Sequence, residues 1–133
     1  MAMTGGCLCG KVRYKISGEP QMSVICHCKN CQRQAGSSFS AIIGVPREAL
    51  EYEGEIKTYA DKGDSGGSVD RQFCPDCGSP LFSLVGSLPQ MVFVKAGTLD
   101  DTSNLQPAMH IFTKSKQAWV ELGDLPAFDT APG

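Results

Sequence analysis

Seven cysteines in three tight clusters constrain this chain more than any other feature: Cys7 and Cys9, then Cys26, Cys28 and Cys31, then Cys74 and Cys77. An odd number of thiols cannot all pair as disulfides. The N-terminal Met-Ala-Met-Thr-Gly-Gly-Cys also lacks the charged and apolar regions of an export signal. Reduced thiols at C-x-C and C-x-x-C spacings read as metal ligands, so a cytoplasmic protein stapled by zinc is expected rather than a disulfide scaffold.

Each cluster suggests its own geometry. Cys74-Pro75-Asp76-Cys77-Gly78 is a two-ligand knuckle, in which the intervening pair turns both sulfurs toward one point and Gly78 can adopt the positive φ of such a turn. Cys7-Leu8-Cys9 is expected to present its two sulfurs from an extended segment, where alternate residues project to one side. The two halves predict a closed four-cysteine site of the structural kind, made of Cys7, Cys9, Cys74 and Cys77. Cys26-His27-Cys28-Lys29-Asn30-Cys31 supplies only three sulfurs. A zinc held by three protein ligands keeps a coordination position for water or substrate, so chemistry is expected at Cys26, Cys28 and Cys31. In an extended segment His27 points away from the sulfurs on either side of it. The competing reading is a second structural site completed by His110, the only other histidine, or by a backbone-positioned group. A thioredoxin-like role for Cys74 and Cys77 conflicts with Gly78-Ser79-Pro80, which forbids the helix that motif requires.

The rest of the chain bounds the setting of these clusters. With 133 residues, 41% of them apolar, one domain spanning 1–133 with a real core is expected. Twelve basic against fourteen acidic residues, with no basic block, argue against nucleic acid and anionic membranes as partners, and no apolar run could span a bilayer. Fifteen Gly and eight Pro cut the chain into runs of strand length. Strands are expected at 11–16, 22–27, 39–45, 56–59, 68–73, 81–85, 91–96, 110–112 and 118–120. Helical signal is confined to a turn or two after Cys28, to 46–50 and to 100–104. The fold class is therefore all-β, several short antiparallel sheets packed together. Gly63-Asp64-Ser65-Gly66-Gly67 copies a serine-protease nucleophile segment, but the chain has neither the double barrel nor a free histidine base, and it reads as a surface loop. Lys11, Arg13, Lys29, Arg33 and Arg71 lie close in sequence to the cysteines and can offset thiolate charge or bind substrate.

Three segments together resemble a known family. Gly5 to Tyr14 (GGCLCGKVRY), Cys26 to Ser37 (CHCKNCQRQAGS) and Phe73 to Leu81 (FCPDCGSPL) are similar to the family of the glutathione-dependent formaldehyde-activating enzyme, which also includes centromere protein V. The likeness continues through Gly97-Thr98-Leu99-Asp100 and His110 to Lys116 as far as Trp119. It implies a zinc-stapled β-tent fold and two zinc ions per chain, a structural one on Cys7, Cys9, Cys74 and Cys77 and a catalytic one on Cys26, Cys28 and Cys31. It further implies a carbon–sulfur lyase that forms S-hydroxymethylglutathione from formaldehyde and glutathione. The expected partners are a small-molecule thiol and a small carbonyl, acting on a monomer or homodimer.

The residues suggest a mechanism consistent with this. Three thiolates make zinc a weak Lewis acid toward water but a good acceptor of a further sulfur. Lys29 and Arg33 are expected to attract an anionic thiol, and His27 and His110 to be candidate proton carriers.

Overall fold

The structure, a computed structural model, describes residues 2–63 and 66–131, so Asp64 and Ser65 of the protease-like segment lie outside the described residues. The fold is mostly β, with 42% strand and 12% helix. A three-stranded antiparallel sheet takes β1 (Ala2–Gly6), β2 (Arg13–Ser17) and β5 (Leu50–Glu53), with β2 in the middle. A seven-stranded sheet takes β3 (Met22–Cys26), β4 (Ser40–Pro46), β6 (Lys57–Lys62), β7 (Ser68–Phe73), β8 (Pro80–Val85), β9 (Met91–Lys95) and β10 (Met109–Ile111). Its order is β10-β3-β4-β9-β8-β7-β6, antiparallel except for the parallel pair of β10 with β3.

Side-chain alternation explains how the sheets stack. Along β2, Tyr14 and Ile16 are buried while Arg13, Lys15 and Ser17 face water, the period-two pattern of a strand with one covered face. Tyr14 meets Phe82 of β8 edge-on at 5.4 Å between ring centres, joining the small sheet to the large one. Val12, Ile16, Ile43, Val45, Leu81, Val92 and Val94 fill the space between them. All five residues of β9 are buried, as suits a strand in the middle of a covered sheet, whereas the outermost strand β6 is mostly exposed and carries Lys57 and Lys62.

Several sequence expectations are refined. β1 stood outside the expected strands, and 50–53 is a strand that follows a 3-10 turn at Arg47–Ala49. Residues 118–120 form a turn closed by Val120 N–H donating to the Gln117 carbonyl at 3.1 Å. Residues 100–104 are not helical: the Asp101 carboxylate accepts the Ser103 N–H at 2.9 Å, a local bond that competes with a helical turn. The expected turn after Cys28 is α1 (Lys29–Ala35).

Candidate functional site

Two cysteine clusters form, divided four and three, and in each the sulfurs lie within 4.8 Å of one another. Cys7 and Cys9 sit in the turn between β1 and β2, not in an extended segment as the alternation argument predicts. Gly10 N–H donates to the Cys7 carbonyl at 3.1 Å, and Val12 N–H reaches the Cys7 Sγ at 3.3 Å. A turn achieves what extension was expected to do, because its closing bonds fold the second sulfur back beside the first. Cys74 and Cys77 belong to the knuckle between β7 and β8, where Gly78 has φ 79° and its N–H donates to the Cys74 carbonyl at 2.9 Å. The halves are tied by Leu8 N–H donating to Ser79 Oγ at 3.0 Å. Hydrogen bonds from the Ser79 side chain and backbone pull the Cys77 thiol down to about 5.

In the trio, Cys26 ends β3, Cys28 caps α1 and Cys31 lies one turn inside it. Cys28 Sγ accepts the Cys31 N–H at 3.2 Å, the role that serine or aspartate usually fills at a helix start. Cys26 and Cys28 are buried and Cys31 is half-buried. His27 projects to the other side, as expected of an extended residue, and its Nε2 lies 2.9 Å from His110 Nδ1 in a fully buried pair. The parallel register of β10 against β3 places His110 opposite Ile25 and so brings the two rings together. His110 is thereby engaged away from the sulfurs, and among the described residues no fourth Cys, His, Asp or Glu joins the trio.

The cations at the trio are not the ones that sequence proximity suggests. Arg71 of β7, almost fully buried, places Nη1 3.8 Å from Cys31 Sγ. Its Nε donates to Asp61 at 2.8 Å, and Asn30 Nδ2 donates to the same carboxylate at 3.1 Å. Burial works against the Asp61 charge, but the bonds from Arg71, the Lys62 backbone and Asn30 outweigh it and hold the carboxyl below its ordinary value. Lys95, also buried, donates Nζ to Ser40 Oγ at 2.6 Å, and Ser40 is the ladder partner of Cys26. Hydrogen bonds from Cys26 and Cys28, followed by the charges of Arg71 and Lys95, hold the Cys31 thiol far below the ordinary thiol value. Lys29 and Arg33 line the opposite face of α1, since residues two apart from Cys31 project away from it at 100° per residue. Arg13 instead pairs with Asp100, and Lys11 with Asp76 at 3.4 Å.

Lys95, Ser40, Asp61 and Asn30 escape a reading from the sequence. Lys95 left one trace, a lysine closing the apolar run Met-Val-Phe-Val, which becomes informative only once the register with β4 is known.

The donor sets suit zinc. Tetrahedral zinc with sulfur at 2.3 Å holds its sulfurs about 3.8 Å apart. The separations are 3.6 Å for Cys7 to Cys9, 3.8 Å for Cys9 to Cys74 and 3.4 Å for Cys26 to Cys31. All seven thiols are free, so both clusters could hold a metal ion.

Comparison with known proteins agrees with this picture. The family described as "Glutathione-dependent formaldehyde-activating enzyme" matches residues 2–115. A Halomonas elongata protein, provisionally named a glutathione-dependent formaldehyde-activating enzyme, is 28% identical over 128 residues, covering 92% of this chain and 82% of its own. An Aspergillus flavus protein of the same provisional name is 33% identical over 84 residues, which cover 59% of this chain but only 42% of that longer one. A Schizosaccharomyces pombe protein named as an uncharacterized lyase is 28% identical over 102 residues, covering 76% of this chain and 71% of its own. The crystal structure of a Rhodobacter sphaeroides protein superposes with a TM-score of 0.59 at 18% identity, over 94% of this chain and 99% of that one, a likeness of fold.

Proposed function

The chain belongs to the family of the glutathione-dependent formaldehyde-activating enzyme, and from that premise we propose that it is a carbon–sulfur lyase joining glutathione to formaldehyde as S-hydroxymethylglutathione. The observation that carries the reading is the division of seven thiols into a set of four and a set of three, the three lying against buried cations. In this reading Cys7, Cys9, Cys74 and Cys77 hold a structural zinc, and Cys26, Cys28 and Cys31 hold the catalytic one. Bound by three thiolates, zinc supplies deprotonation of an incoming thiol at neutral pH, because coordination removes the thiol proton outright.

The remaining work falls to the protein. The reaction forms one carbon–sulfur bond, opens the carbonyl π bond and leaves the thiol's proton on the former carbonyl oxygen, with no change of oxidation state overall. Arg71, held by the Asp61 carboxylate that Asn30 also contacts, offsets the negative charge that builds up on the sulfurs. Lys95 and Ser40 stand beside Cys26 as N–H and O–H donors for the alkoxide that forms as sulfur attacks. A single hydrogen bond joins His27 and His110 inside the protein, one ring donating and the other accepting, and the pair positions the segment that carries Cys26 and Cys28 rather than shuttling protons.

Exchange spectroscopy on glutathione and formaldehyde tests this directly. The native protein is expected to accelerate interconversion with S-hydroxymethylglutathione, and Cys28→Ser to return it to the rate in buffer. Serine caps helices well, so that variant keeps α1. Equal rates in native protein, variant and buffer would refute the activity.

A further inference from the structure

The family match ends at residue 115, and the chain beyond it returns to the strand beside the cysteine trio. Residues 126–130 run parallel to β10 along the edge that β3 leaves free, with Ala127 bridged to His110. His110 N–H donates to the Pro126 carbonyl at 2.9 Å, and the His110 carbonyl accepts the Phe128 N–H at 3.0 Å. The same segment holds the 3-10 turn Thr113–Ser115. Phe112 N–H donates to the Thr130 carbonyl at 3.2 Å, and the Phe128 carbonyl accepts both the Thr113 N–H at 3.0 Å and the Thr113 hydroxyl at 3.1 Å. Phe112 has φ 56°, the only positive φ outside glycine among the described residues. A bulky residue stays in that conformation only where its surroundings hold it.

Two routes lead from this tail to the trio. Through β10, the His110 ring meets the His27 ring at 2.9 Å and the Ile111 carbonyl accepts the His27 N–H at 3.0 Å. The residue between Cys26 and Cys28 is thereby held by both side chain and backbone. Through the 3-10 turn, the Ser115 carbonyl accepts Gln32 Nε2 at 2.9 Å, and the same amide donates to the His27 carbonyl at 2.8 Å. Gln32 is buried and follows Cys31 in α1. Among the described residues no hydrogen bond joins the tail to Cys7, Cys9, Cys74 or Cys77.

The tail itself is lightly anchored: of residues 126–130 only Phe128 is half-buried, and the others are exposed. A segment held by a few backbone bonds and one side chain opens at low cost. Ligands that lose such support must give up more freedom when an ion binds. We propose that residues 126–130 are a positioning strap that sets the metal affinity of Cys26, Cys28 and Cys31 and leaves the four-cysteine cluster unaffected. The proposal goes beyond the lyase reading and needs only that the trio take up an ion.

Phe128→Pro tests it, because proline has no N–H to give the His110 carbonyl. The zinc-loaded protein is titrated with the chelator pyridylazoresorcinol, and circular dichroism reports on the fold. The native protein is expected to release its two ions in two steps, the trio's first, since three sulfurs leave a position open to the chelator. Cys28→Ser, which lacks that step, identifies it. In Phe128→Pro the first step should need about 10–100-fold less chelator, the loss typical of partners that orient ligands, while the second stays in place. Thr113→Val keeps every backbone bond and loses only that of the hydroxyl, so it should show the same selective shift in smaller measure even if the proline variant does not fold. Both steps unmoved in a folded variant, both displaced alike, or release of all zinc from the native protein in a single step would overturn the proposal. A selective shift in a protein without turnover would sustain the strap and remove the lyase reading. Turnover in the native protein with both steps unmoved in the variants would remove the strap alone.

Discussion

Arg71 carries a heavy electrostatic burden, because it lies buried between the Asp61 carboxylate and the Cys31 sulfur. Removing one partner of such a pair strands the other. Arg71→Met is therefore expected to cost on the order of 3 kcal/mol in denaturant unfolding, with Arg71→Lys in between. Cys31 should also become easier to protonate, which a spectrophotometric thiolate titration would reveal. His27 gives a pH prediction at the same scale. Burial, then the charges of His110 and Lys116, pushes its imidazole below the ordinary value. The unfolded chain then binds the extra proton first, so the stabilisation is complete above about pH 6.5 and is lost as pH falls through that value toward the depressed one. Unfolding free energies between pH 7 and pH 5 should decline more steeply for the native protein than for His27→Gln; parallel slopes would contradict this. Single residues were only partly legible in the sequence. Thiol spacing grouped the cysteines, because ligand turns are local, but proximity along the chain pointed to Lys29 and Arg33. The cations that actually reach the trio, Arg71 and Lys95, come from strands 40 and more residues away.

The elements show the same boundary between local and distant information. Strands with β-branched or aromatic alternation, such as β4, β8 and β9, were readable from their residues. β1 was not, because Ala-Met-Thr-Gly-Gly has little strand propensity and owes its conformation to the ladder with β2. Gly5 in that strand is required by contact: a Cβ there would run into the Tyr14 ring and the Thr98 carbonyl. Gly5→Ala is expected to cost about 1–3 kcal/mol, measured as a lower urea midpoint at unchanged m-value. The parallel pairing of β10 with β3 had no sequence signature either, yet it is what seats His110 on His27. The segment 118–120 has strand-forming residues but meets no strand, and its turn instead holds Trp119 against the Gln117 side chain.

Over the whole molecule the proposed function gives the two clusters different work. Cys7 and Cys74 belong to the core between the sheets, and their cluster joins the first turn of the chain to the β7–β8 knuckle. A metal bound there only in the folded form adds its binding free energy to stability. Cys77→Ser is accordingly expected to lower stability by several kcal/mol in the zinc-loaded protein, and Cys28→Ser by much less, as thermal unfolding of the two side by side would show. An equal loss in both would mean that the clusters share one structural role. The most direct test of the central claim is the visible spectrum of the protein loaded with cobalt(II) in place of zinc, followed as glutathione is added. One of two ions should change toward the signature of four sulfurs while the other stays constant, and Cys28→Ser should abolish the change. A spectrum indifferent to glutathione, with both ions bound, would show that the trio does not take up a thiol and would contradict the account.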